Sequence, residues 1–369
     1  MQHPVGPQGK PFDLPERNKT MLENKTSTDQ SDVKPAMPST DSMHTARWIY
    51  QARLFMLVLA NIWLFGMQVY ADSNSTRDSY TMHVTLDVAA GKLYGTNTFT
   101  INPAHVDRTQ VLPIFAYPNH YATVSPAISH KLYDRVFPES LSLGDMRLER
   151  VLINGQDTAF STTRKPRLTD GVLLTAAIPD PHLTSQSHAT VSISFVVNIP
   201  ERFGTFGRYQ SAICLNGGWY PYLPAKYNSE WLWHAPPPES SFRLQLSVNQ
   251  EGHIFINGQH HEARPGNIIQ AEFEARYLSF VFVPQIHEYQ KKRPGMDLRY
   301  VTSRPREKDA LVLLQAASMA MDFLHAKTDL KLPEEILFIE APLRRDLAIP
   351  AAGMVLVSDR FKQVLNSLR

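Results

Sequence analysis

The sequence predicts a mainly β N-terminal domain, an antiparallel sandwich or curved sheet, followed by the incomplete start of an α/β domain. Three observations carry this reading. Apolar and polar residues alternate in short runs from about Ser79 to Pro284. Turn signals such as Asn154-Gly155 and Asn257-Gly258 separate the runs. Helical spacing appears only after the "KKRPGMD" stretch that starts at Lys291.

The elements follow in order. In "YTMHVTLDV", Tyr80, Met82, Val84, Leu86 and Val88 fall on one face of a strand. Ala90-Gly91-Lys92 makes the turn, and "LYGTNTFTI" returns as its partner. "RLERVLINGQ" is a strand ending at an Asn-Gly turn. "ATVSISFVVNIP" places Val191, Ile193 and Phe195 together, and "SFRLQLSV" does so with Phe242, Leu244, Leu246 and Val248. "IFINGQ" and "YLSFVFVP" continue the series. Then "LRYVTS" reads as a strand and "REKDALVLLQAASMAMDFLHAKT" as a helix, with Leu311, Leu314, Ala317, Met321 and Leu324 as its core face. Pro333 precedes one more apolar strand, "EILFIEA". This β-α-β order has too few elements to close a core, so one side of the helix is expected to lack a packing partner.

The expected organisation is a disordered segment over 1–45, a signal peptide or membrane anchor over 46–71, an all-β domain over 79–290 and the α/β start over 295–369. Pro, Ser, Thr, Asp, Asn and Lys dominate the first segment. Arg47 and Arg53 precede an uncharged stretch from Leu54 to Ala71, which ends in Val69-Tyr70-Ala71. That layout suits a secretory signal, and its length nearly suits a bilayer span. Either reading puts the rest of the chain outside the cytoplasm: secreted, periplasmic or anchored to a membrane.

Charge excludes one class of partner. A formal net charge of +2, with no basic run interleaved with aromatics, gives no electrostatic case for nucleic acid. Cys214 is the single cysteine, so no intramolecular disulfide and no Cys-based metal motif can form.

Three groups of side chains invite a functional reading. "GGWYPYLPAKYNSEWLWH" gathers Trp219, Tyr220, Tyr222, Tyr227, Trp231 and Trp233. It reads either as a stacking platform for peptide or glycan, or as a Pro-rich crossover packed against the sheet. "PLRRDL" offers Arg344 and Arg345 to a carboxylate, or pairs one of them locally with Asp346 in a solvated loop. His260 and His261 sit in a segment read as an exposed turn.

The chain resembles the N-terminal part of an aminopeptidase N (membrane alanyl aminopeptidase) family gluzincin metallopeptidase, of the bacterial secreted branch. "YTMHVTLDVAAGKLYGTNTFTIN" resembles the family's first hairpin, "GTFGRYQSAICLNGGWYPYLP" its aromatic-Pro segment, and "ILFIEAPLRRDLAIPAAGMVLVSDR" the strand and loop leading to its substrate edge. The resemblance implies a β domain, then a thermolysin-like catalytic domain with zinc on a His-Glu-x-x-His helix, acting on peptides. It implies Gly353 and Met354 as substrate-binding residues. Apart from the resemblance, the uncharged stretch 54–71 allows a membrane contact.

The sequence departs from that pattern where the chemistry would lie. His261-Glu262 and His287-Glu288 are the only His-Glu pairs, and the fourth position after each first histidine holds Pro265 or Lys291. No metal, no cofactor and no catalytic residue are therefore expected in this chain, and the zinc helix is expected beyond Arg369. Val355 and Leu356 stand where the family carries an acidic and an amide residue. "SAICLNGGWY" lacks the glutamate found before the family's aromatic-Pro segment.

Overall fold

The computed structural model describes residues 78–101, 111–125, 128–163, 172–177, 189–227, 230–232, 237–328, 333–361 and 363. The expected disordered segment and the Leu54–Ala71 stretch lie outside these residues. All described residues belong to one compact unit, 47–369. The chain is mainly β, as the alternation requires.

The first strands are β1 (Ser79–Asp87), β2 (Lys92–Ile101), β3 (Val111–Ala116), β4 (Asp145–Ile153), β5 (Gln156–Asp157), β6 (Phe160–Thr163), β7 (Val172–Ala177) and β8 (Ala189–Asn198). Next come β9 (Phe206–Tyr209), β10 (Ala212–Asn216), β11 (Ala225–Tyr227), β12 (Glu230–Leu232), β13 (Ser240–Val248), β14 (Gly252–Ile256), β15 (Gln259–Ala263), β16 (Ile268–Ala275) and β17 (Ser279–Val283). The last are β18 (His287–Arg293), β19 (Met296–Thr302), helix α1 (Glu307–Lys327), β20 (Glu335–Ala341), β21 (Ala348–Ala351) and β22 (Met354–Ser358).

Seven strands form the first sheet in the order β16-β13-β1-β2-β8-β4-β5. Five form the second, β15-β14-β17-β10-β9. Their inner faces share one core, in which Met82, Leu86, Phe99, Ile193 and Phe242 meet Ile213, Leu215, Ile254, Phe280 and Phe282. The expected sandwich is therefore present. The alternation of β1 is visible as buried Tyr80, Met82, Val84 and Leu86 between more exposed neighbours. The turn at Asn257-Gly258 carries both residues at positive φ, 45° and 85°, the geometry that favours Asn-Gly in a two-residue hairpin.

A third sheet runs β18-β19-β20-β22-β21, with β19, β20 and β22 parallel. It is covered on both faces. On one face Leu298, Tyr300, Phe338 and Val357 pack against Leu313, Leu314, Ala317 and Met321 of α1. On the other, Val301, Leu337, Ile339 and Leu356 pack against Cys214, Phe255, Val281 and Val283. The second sheet is thus covered on both faces too, which accounts for the uninterrupted apolar run Phe280–Val283 in β17. β18 includes residues expected in the first domain, yet it pairs with β19 across the Pro294-Gly295 turn.

One assignment is corrected. The helical spacing puts Leu311 on the core face of α1, but its side chain is 62% exposed. The buried positions are Ala310, Leu313, Leu314, Ala317, Ser318, Ala320 and Met321. Leu311, Val312, Met319 and Phe323 lie on the exposed side, so apolar residues mark both sides of this helix.

Candidate functional site

Gly353 and Met354 lie at the hairpin that joins β21 to β22. Gly353 has φ 66°, which favours glycine, and a Cβ placed there would lie 2.0 Å from the Asn257 carbonyl oxygen. This turn therefore rests directly on the Asn257-Gly258 turn of the second sheet. Met354 is buried between the second and third sheets, in the cluster that holds Cys214 and Phe255. Val355 and Leu356 are buried as well, Val355 facing the α1 side and Leu356 the second sheet. The structure brings the two predicted residues together as a packed corner.

β21 is an edge strand. Leu347 and the inward groups of Ile349 and Ala351 face β22, because Ser358 N–H donates to the Leu347 carbonyl at 2.8 Å. Successive residues of a strand turn their backbone groups to opposite sides, so Ala348 and Pro350 face outward. Asn216 Nδ2 donates to the Pro350 carbonyl at 3.3 Å, and proline has no N–H to offer. The outward groups of this edge are therefore the N–H and C=O of Ala348, and the short margin is blunted in the manner of protected sheet edges.

A polar cluster gathers at the carboxyl ends of the parallel strands, where open α/β sheets bind their ligands. Arg306 Nε lies 3.0 Å from Glu340 Oε2, and the Tyr300 hydroxyl donates to the same oxygen at 3.4 Å. Desolvation raises the Glu340 carboxyl above its ordinary range against the pull of Arg306. Arg306 also donates to the Asp359 carbonyl at 3.0 Å. Arg344 pairs with the Asp359 carboxylate, and its guanidinium stacks on Phe203 at 3.9 Å. The solvated Arg–Asp pair expected within "PLRRDL" is thus corrected. Arg344 is buried, and its partner stands fifteen residues further on, because β22 returns beside β20. Nothing in the local sequence marks Glu340, Arg306 and Asp359 as neighbours.

The aromatic segment divides. Trp219 and Tyr220 are fully buried. Trp219 Nε1 donates to the Leu278 carbonyl at 2.8 Å, and the buried Asn97 Nδ2 donates to the Pro221 carbonyl at 2.7 Å. These rings pack the sandwich and are closed to a ligand. Tyr222 is partly buried against the same core. The side chains of Tyr227, Trp231 and Trp233 lie outside the described part of the chain.

His260 and His261 stand on strand β15, which corrects the expected turn, and His287 and Glu288 on β18. Glu288 is committed to Arg299, at 2.7 and 3.1 Å. Among the described residues no group of three or more His, Cys, Asp or Glu is placed to hold a metal ion, and no helix is long and apolar enough to cross a membrane. Burial pushes the Cys214 thiol up to about 12, so it is no nucleophile at neutral pH.

No family model matches the sequence, and no curated protein matches it. Among solved structures, the M1 zinc metallopeptidase from Deinococcus radiodurans matches with a TM-score of 0.43 and 13% identity, over 81% of this chain and 65% of that one. A point variant of the same enzyme matches with a TM-score of 0.44 and 14% identity, over 79% of this chain and 63% of that one. The variant bound to a Tyr-Ser-Ala substrate gives 0.43 and 14%, over 79% and 63%. The chain spans less than two thirds of the length of these structures.

Proposed function

We propose that the chain is the N-terminal, non-catalytic portion of an exported or membrane-attached zinc metallopeptidase of aminopeptidase N type. The observation that carries the reading is the order of parts. A β sandwich built on the resembling first hairpin is followed by a β-α-β sheet, and the short open edge of that sheet leads into Gly353 and Met354. Export or anchoring rests on Leu54–Ala71 alone. The family's zinc does not fit the residues present, because neither His-Glu pair has a histidine at the fourth position. No hydrolytic step is assigned to them.

In this reading the chain contributes one wall of a peptide site. A peptide would add to β21 through Ala348, in the manner of strand addition. The alternative, a β module binding peptide or glycan through its aromatic segment, loses Trp219 and Tyr220 to the core.

Binding of a fluorescent tripeptide amide tests the edge. Ala348→Pro removes the outward donor and is expected to weaken binding at least tenfold, while Ala348→Val leaves it within twofold. Unchanged binding in the proline variant would exclude β21 as the peptide edge. Stoichiometric zinc with zinc-dependent hydrolysis of an aminoacyl anilide by this chain would overturn the non-catalytic reading.

A further inference from the structure

We propose that His253 and His260 form a two-imidazole chelate for a divalent copper or nickel ion, independent of any peptidase role. His253 Nδ1 lies 3.0 Å from His260 Nε2 across the β14–β15 hairpin. The register explains the meeting. His260 stands opposite Phe255, and His253 lies two residues before Phe255, on the same face. The His260 ring stacks on Phe255 at 4.8 Å and 16°, and Phe255 is itself fully buried. One imidazole is therefore backed by a fixed wall.

The ligand type selects the metal. The ring centroids are 5.2 Å apart, so the facing nitrogens point at each other as in a hydrogen bond, and the His253 ring must turn to bring both lone pairs onto one ion. Imidazole nitrogens completed by oxygen ligands suit Cu(II) and Ni(II). Copper also binds most tightly of the divalent first-row ions. Water fills the remaining positions, since His260 is exposed and no third protein ligand is in place among the described residues.

The proton balance is simple. Two neutral rings at this distance share one N–H. On binding, that proton moves to the far nitrogen of the donor ring, and both facing nitrogens offer lone pairs to the ion. The charged groups around the pair are Glu288 on β18 and Arg299 on β19, which bond each other, and Glu262, which stands opposite His253 on β15 and pairs with Arg264. Glu288 offsets part of the ion's charge without joining its shell. His261, next along β15, faces the opposite side of the hairpin by strand alternation.

The test is titration of the full chain with Cu(II) chloride, followed by electron paramagnetic resonance. All proteins carry His3→Ala, because a terminal amine with a histidine at the third position chelates copper by itself. One equivalent is expected to bind with a signal split by two imidazole nitrogens. His253→Gln and His260→Gln should each weaken binding at least tenfold, His261→Gln should leave it within twofold, and Zn(II) should bind at least tenfold more weakly than Cu(II). Circular dichroism checks that each variant is folded. A first equivalent bound as tightly by both single variants, or lacking imidazole splitting, would overturn the assignment.

Discussion

The carbonyl oxygen of Asn257 stands where a side chain on Gly353 would have to begin, 2.0 Å from the position an ideal Cβ would take. Two hairpin turns from different sheets meet there, backbone on backbone. Gly353→Ala therefore adds a backbone clash to the strain of a left-handed residue, and is expected to cost about 3 kcal/mol or more. Gly266→Ala is the matched control. It also has positive φ, 86°, but open space around it, so the cost should be about 1 kcal/mol. Urea unfolding of both variants measures the difference, and equal costs would mean that the turns separate readily.

Arg306→Met should destabilise more than Glu340→Gln. The first leaves a buried carboxylate without its cation, a loss of about 3 kcal/mol. The second removes a charge whose burial already works against it, and should cost less than about 1.5 kcal/mol. Both are read from urea midpoints at pH 7.

The same carboxyl sets a pH dependence. Its folded value is raised, so between the ordinary carboxyl range and that value the folded chain holds a proton that the unfolded chain has released. Its contribution to stability is complete below the ordinary range and is lost as pH rises through the folded value. Wild type minus Glu340→Gln should accordingly become less favourable on going from pH 4.5 to pH 7. A flat difference would show that Glu340 is solvated.

Cys214 should resist thiol reagents while the chain is folded. Its Sγ donates to the Thr205 carbonyl at 3.5 Å, and burial holds it protonated. Labelling by a disulfide reagent should track global unfolding in urea. Fast labelling without denaturant would show that the second and third sheets part locally.

Leu311→Glu and Phe323→Lys should each change stability by less than about 0.5 kcal/mol, since both side chains face solvent. Loss of more than that from either would show that something covers this side of α1.

The strands are legible in the sequence because period 2 is local: Tyr80, Met82, Val84 and Leu86 announce a buried face without knowledge of the partner. Helix α1 is legible for the same reason, but its inner side is not. Apolar residues at 310, 311, 312, 313 and 314 permit several core faces, and only the third sheet chooses among them. Gly353 and Met354 can be found as a motif, whereas their packing against Asn257 and Phe255 depends on how two separate sheets dock. The His253–His260 pair needs a cross-strand register, which sequence spacing of seven does not supply without the intervening turn. Arg344 with Asp359 likewise requires the parallel return of β22.

β1 lies inside the first sheet, parallel to β13 on one side and paired with β2 on the other. His83 meets Gln245 across that parallel seam, a sequence separation of 162 residues. At about 5–20 residues per second, a ribosome needs on the order of ten seconds or more to deliver the second partner after the first has emerged. Throughout that interval β1 has a bare margin and an alternating apolar face, the kind of surface that other nascent chains pair with. Synthesis order thus makes this strand the client of whatever chaperone meets the chain first, and its closure hands the bare margin on to β13 until β16 follows.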